Sequence, residues 1–318
     1  VASSSLLEAG AAVRRGDARR GYRRALARFA RHRMAALGAA FLAVVLAVAA
    51  AAPVVAPYRY DKQDLLSTYE APDAGHLAGT DALGRDVLSR LMYGARVSMS
   101  VGLAATAIVL LVGVPTGLLA GYFGGTLDLM LMRVVDIVYA IPYLLLVVLL
   151  QTFFTAFLPA IRAGPLVWLR ALNQATGGVA AIVLALSLVG WLDVARVARG
   201  QALALRHREF VQAAKSLGAS EKHVLAAHLL PNIAAPIIIM ATLLVPSFII
   251  AEAGLSFLGL GVQPPTPSWG IMIADGVDAI ESYPRLVIAP AIVLAATLLS
   301  LNFVGDGLRD ALDPSSER

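Results

Sequence analysis

The sequence predicts an all-α membrane protein of several passes, and three observations carry that prediction. Of its 318 residues, 58% are hydrophobic and 15% charged, with a mean hydropathy of +0.75, far more apolar than a soluble domain. Six apolar runs are each long enough to cross a hydrocarbon layer of about 30 Å, which takes about 20 helical residues. The Lys and Arg residues gather in alternate gaps between those runs, as they do when basic residues are retained on the cytoplasmic side. The formal charge of +5 would suit nucleic acid only if the basic residues lined one soluble face, so no nucleic-acid partner is expected. The chain has no cysteine, which excludes disulfides and thiolate metal sites.

Taken in order, residues 1–33 form an arginine-rich tail, with nine arginines from Arg14 to Arg33, expected in the cytoplasm beside anionic lipid. The first span, 34–56, exceeds the ~7–15 apolar residues of a signal peptide and is expected to stay in place. Residues 57–97 then form an extracytoplasmic loop with an interfacial helix. Five further spans, 98–122, 137–158, 176–192, 233–253 and 286–304, make a core over 98–304 and leave 305–318 as a second cytoplasmic tail. Pro115, Pro142, Pro236 and Pro246 fall inside these spans, where neighbouring helices can re-satisfy the backbone. Gly113, Gly117 and Gly121 repeat every four residues, a face on which another helix can pack closely. Between the third and fourth spans, Trp168 with Arg162 and Arg170 suits an interfacial helix.

Several kinds of chemistry are excluded. A phosphate-binding loop needs Gly-Lys, yet Lys62 follows Asp61, Lys215 follows Ala214 and Lys222 follows Glu221. Any ATP used is therefore hydrolysed by another chain. Ser256, after Gly254-Leu255, would need a histidine at membrane depth to become a nucleophile, and every histidine falls in a loop. His207, His223 and His228 lack the i, i+4 spacing of a helical metal site, so no metal is expected. A secondary transporter would place acids inside spans, whereas Asp128, Asp136, Asp193, Glu252 and Asp306 are read as lying at span ends.

The longest cytoplasmic loop, 193–232, is where a partner's energy could enter. From Arg208 and Glu209 onward, Phe210, Ala213, Ala214 and Leu217 recur at i, i+3, i+4 and i+7, one face of a helix. Gly218 stops that helix by taking the left-handed conformation. Ser220 caps a second helix, which is expected to run through Val224, Leu225 and Leu229 and to end at Pro231.

Gln212-Ala213-Ala214, three residues, Gly218, nine residues, then His228-Leu229-Leu230-Pro231 resembles the cytoplasmic coupling motif of binding-protein-dependent ABC importer permeases, with Gln212 where the family has Glu and His228 where it commonly has Ile. Arg28-Phe29-Ala30-Arg31-His32-Arg33, the stretch from Gly79-Thr80-Asp81 to Arg90, Gly254-Leu255-Ser256-Phe257-Leu258-Gly259, Pro264-Pro265-Thr266-Pro267-Ser268-Trp269-Gly270 and Gly305-Asp306-Gly307-Leu308-Arg309-Asp310 are similar to the C-type permease of dipeptide, oligopeptide and nickel importers. The resemblance implies a type I importer core with a peripheral first span, in a prokaryotic inner membrane. It implies a homologous second permease, two ATPase subunits that carry the ATP and Mg, and an extracytoplasmic substrate-binding protein. The chain itself would bind no cofactor and catalyse nothing. Peptide is the expected cargo, with nickel or an oligosaccharide as alternatives. The ATPase-coupling residues would be Arg208, Glu209, Phe210, Gln212, Ala213, Ala214, Leu217, Gly218, Leu230 and Pro231.

Overall fold

The computed structural model describes residues 27–312; most of the arginine-rich tail and the last six residues lie outside the described residues. The described chain is helical, and six of its helices are long and apolar enough to cross a membrane. In order, the helices are α1 (Arg33–Val55), α2 (Val87–Phe123), α3 (Gly125–Tyr139), α4 (Tyr143–Ala160), α5 (Val167–Ala175), α6 (Val179–Leu205), α7 (Glu209–Ser216), α8 (Glu221–His223), α9 (Leu230–Phe257), α10 (Trp269–Val277) and α11 (Arg285–Leu312), with a π turn over Val224–Leu229.

The His32 side chain caps α1 by accepting the Ala35 N–H at 3.1 Å. The helix buries Ala35, Gly38, Leu42, Val45, Ala49 and Ala52, alternating steps of three and four that define one stripe. Small residues let that stripe meet α11: a Cβ on Gly38 would lie 2.8 Å from the Ser300 carbonyl oxygen, and one on Gly307 would lie 2.3 Å from Ala35. The main core draws on α2, α4, α6, the π turn and α9, while α1 joins a second, smaller cluster around Trp269. The first span therefore stands to one side.

The interfacial helix expected within 57–97 is instead the start of α2, which runs unbroken for 37 residues from the Asp86 cap, about 55 Å at 1.5 Å per residue. The third span is not continuous from residue 137. Proline lacks an N–H and disfavours helical backbone in the residue before it, so α3 ends at Tyr139 and Pro142 becomes the N-cap of α4. The fourth span outruns its expected end at 192 by thirteen residues. Hydropathy falls at Asp193, but Ala195, Ala198 and Ala202 are buried there, and the basic residues find acids on α3. The Arg199 guanidinium grips the Asp128 carboxylate with Nη2 2.6 Å from Oδ2, and Arg196 lies 2.8 Å from Asp136. All five acids read as lying at span ends belong inside helices, with Asp193 in the middle of α6 and Glu252 fully buried, accepting from Ser256 at 2.7 Å and Ser98 at 3.3 Å. At the other end, residues 305–312 are not a separate tail but the last turns of α11.

Candidate functional site

The α2–α6 seam sets the platform under the loop 206–232. A Cβ would fall 2.7 Å from the Trp191 carbonyl oxygen at Gly113, 2.2 Å from that of Ala195 at Gly117, and 2.5 Å from that of Arg199 at Gly121. All three glycines thus pack against α6 of the same chain. At the end of this seam, Arg206 Nη1 donates to the Gly121 carbonyl at 3.2 Å and orients the exit from α6. Arg199 holds the Asp128 carboxyl below its ordinary pKa, the hydrogen bond outweighing the opposing effect of burial.

Helix α7 begins after Arg208, with Glu209 in its first turn where the helix dipole favours an acid. Its end is a Schellman motif: Ala219 N–H bonds the Ala214 carbonyl at 3.0 Å and Gly218 N–H bonds that of Lys215 at 2.9 Å. Gly218 has φ +82°, the left-handed conformation that a side chain disfavours. Ser220 then caps the next helix by accepting the His223 N–H at 3.3 Å.

The face that anchors α7 is not the one periodicity selects. Val211 is fully buried and joins the cluster containing Val224 and Leu229, with Ala214 packed against it. Phe210 and Leu217 are 38% and 89% exposed, and Ala213 and Gly218 are exposed beside them. Gln212 turns back to donate to the Arg206 carbonyl at 3.2 Å. Arg208 and Glu209 are exposed and have no ion pair among the described residues. Tyr122 braces both short helices against the spans: its hydroxyl bonds the Glu221 carboxylate of α8, and the Lys215 ammonium of α7 sits 4.6 Å above its ring.

The second helix does not end at Pro231. It passes through the π turn, where the Leu230 N–H reaches back to the Leu225 carbonyl, and continues as α9. Pro231 could donate no bond in any case, and the wide turn carries the helix across the gap. Leu230 and Pro231 accordingly do not join the exposed face of α7. They open on an apolar groove of about 720 Å³ between α2 and α9 that no α7 residue lines. His228 faces His223 and Phe210, with ring centroids 5.5 and 6.5 Å away. No group of three or more His, Asp or Glu among the described residues is placed to hold a metal.

At the opposite end of the molecule, the Gly79–Arg90 stretch forms a charged clasp. Arg85 Nε is 2.7 Å from Asp81 Oδ2, and Arg85 and Arg90 reach Asp275 of α10 at 3.5 and 3.4 Å. Burial raises the Asp275 pKa against the pull of both arginines. Arg285 donates to the Tyr69 and Glu70 carbonyls at 2.9 and 2.6 Å, and Tyr69 stacks on Tyr283. Sequence reading marked the motif but missed the clasp, because its partners lie some 190 residues downstream.

Residues 113–318, which include α7 and both flanking spans, match the family described as binding-protein-dependent transport system inner membrane component, and residues 22–72 match the N-terminal transmembrane domain of oligopeptide transport permease C. The oligopeptide transport system permease protein OppC of Bacillus subtilis is 39% identical over 290 residues, 91% of this chain and 88% of its own length. The dipeptide transport system permease protein DppC of the same organism is 40% identical over 293 residues, 92% of this chain and 85% of its own. Escherichia coli OppC is 38% identical over 289 residues, 90% and 89% of the two chains.

Proposed function

This chain belongs to the inner membrane components of binding-protein-dependent transport systems, and from that premise we propose that it is one of two permeases of a peptide importer, with α7 as its ATPase-docking helix. It is a multi-pass inner-membrane protein, the membrane component of its transport system and not the ATPase. All three peptide-transport relatives match it over about nine-tenths of its length, which supports peptide as cargo. The second permease, two ATPase subunits holding ATP and Mg, and an extracytoplasmic binding protein complete the assembly, and both termini are cytoplasmic.

One observation carries the docking assignment: α7 turns apolar Phe210 and Leu217 outward while Val211 fixes it from within. A soluble surface gains nothing from an apolar side chain as open as Leu217, whereas a partner's groove does. Small Ala213 between them allows close approach, and exposed Arg208 and Glu209 add a charged rim worth about 0–1 kcal/mol per pair. ATP binding draws the ATPase subunits together and carries α7 with them. Because the helix after Ser220 runs without a break to Phe257, that displacement reaches the membrane and switches the pathway between the two permeases.

The test is to replace Ala213 with Trp and, separately, Gly218 with Pro in the assembled complex, and to measure peptide uptake with peptide-stimulated ATP hydrolysis. Both variants should insert normally, lose uptake and lose at least tenfold of the stimulation. Wild-type uptake by either would remove α7 from the coupling role.

A further inference from the structure

Asp193 lies 14 residues from the start of α6 and 12 from its end, about 21 and 18 Å along the axis. It stands where the apolar stretch of α6 ends, one turn before Arg196, and a carboxylate beside a membrane span is found facing water or a partner charge. Among the described residues it shares Arg196 with a second acid. Arg196, one turn on, is committed to Asp136 at 2.8 Å and to the Tyr139 ring at 3.8 Å, and the contact of Asp193 is with the Tyr139 hydroxyl. Asp193 is exposed, on a cavity of about 360 Å³ between α4, α6 and α9. Tyr143 and Ser247 supply the other polar groups there; Leu244, Phe248, Ile250 and Ala251 make the wall apolar.

We propose that this cavity opens on the translocation pathway and that Asp193 receives the α-ammonium group of a peptide in transit, flanked by the Tyr143 and Ser247 hydroxyls. The proposal rests on the peptide reading above. The chemistry favours an ammonium over a metal ion: one carboxylate, with no imidazole in the cavity, makes a charge partner but not a coordination set. Apolar walls keep the local dielectric low and strengthen the attraction, while a single monodentate contact leaves the cargo free to move on.

The absence of cysteine from the chain gives a direct test. A Ser247→Cys variant in the assembled complex carries this chain's single thiol, in the same cavity as Asp193. Cationic and anionic methanethiosulfonate reagents are compared by labelling of this chain. The cationic reagent should react about tenfold faster than the anionic one after correction for intrinsic reactivity, and adding Asp193→Asn should abolish the preference. No labelling by either reagent would mean that a partner covers the cavity, and a preference indifferent to Asp193 would place the charge elsewhere; either overturns the proposal. Uptake supplies the second arm: Asp193→Asn should raise KM at least tenfold for a peptide with a free amino terminus and leave an N-acetylated peptide unchanged. An equal loss for both peptides overturns the ammonium contact. If the unsubstituted complex takes up no peptide while the labelling preference holds, the cargo reading fails and the cation-attracting cavity stands.

Discussion

Glycines at the α2–α6 seam show how much a single atom decides in this chain. At Gly117 an added methyl group would meet the Ala195 carbonyl oxygen at 2.2 Å, and both partners are helix backbone that cannot yield locally. Gly117→Ala should therefore force the helices apart, costing about 1–3 kcal/mol as overpacking does, and lower the thermal unfolding midpoint of the detergent-purified protein. Gly200 is the control: it is helical, has no atom within 4 Å of its would-be Cβ and no positive φ. Gly200→Ala should be neutral or stabilising by up to about 1 kcal/mol. Equal effects at the two sites would rule out close packing as the reason for Gly117. The four-residue spacing made this seam legible in the sequence, because it states the geometry directly. Val211 was not legible: it and Phe210 belong to overlapping strips that both contain Ala214, and only the tertiary position of Val224 and Leu229 determines which strip turns inward. Glu252 was misplaced for a related reason, since hydropathy averages cannot see that Ser98, from a distant helix, meets it inside the bundle.

At the level of helices, spans were legible wherever apolar length alone defines them, and their ends were not. Alpha-6 continues past its hydrophobic stretch because α3 supplies Asp128 and Asp136 to Arg199 and Arg196, a tertiary match with no local signature. Pro142 breaks a span, whereas Pro231, Pro236 and Pro246 do not; the π turn accounts for Pro231. A π turn holds one residue more than the α-helix it interrupts, which yields a prediction. Deleting exposed Ala226 should convert the turn to ordinary α-helix while Val224 and its buried partner, now at i+4, stay on one face. Deleting Ala241 within α9 should instead rotate everything beyond it by about 100°. The first deletion should leave chain level and complex assembly near wild type, read by affinity purification of the complex, and the second should abolish assembly. If both fail alike, the π turn is not a removable insertion but a required part of the lever.

Across the whole molecule, the two ends do different work although both carry motifs that were visible in the sequence. The end opposite α7 is built around charge: Arg90 is 3% exposed between Asp81 and Asp275, joining the start of α2 to α10 across most of the chain's length. The α7 end is built around shape, with outward apolar groups on a helix whose one buried side chain is Val211. This division predicts a double dissociation. Arg90→Met removes one of the two guanidiniums that Asp81 and Asp275 share and leaves Arg85 as their remaining cation, a loss of charged contacts costing about 1.5–3 kcal/mol; Lys should restore little of it, since it cannot span two carboxylates as a guanidinium does. The amount of folded chain recovered should fall severalfold, yet each complex that does assemble should hydrolyse ATP and respond to peptide as the unsubstituted one does. Leu217→Asp alters a side chain that is 89% exposed and supports nothing in the chain, so recovery should be unchanged while peptide-stimulated hydrolysis falls at least tenfold. The decisive measurement is stimulated ATPase activity normalised to complex recovered, for both variants side by side. A clasp variant that lowers activity per complex, or an α7 variant that lowers only recovery, would show that the two ends are not separable, and that the charged clasp moves with the transport cycle instead of serving as its fixed frame.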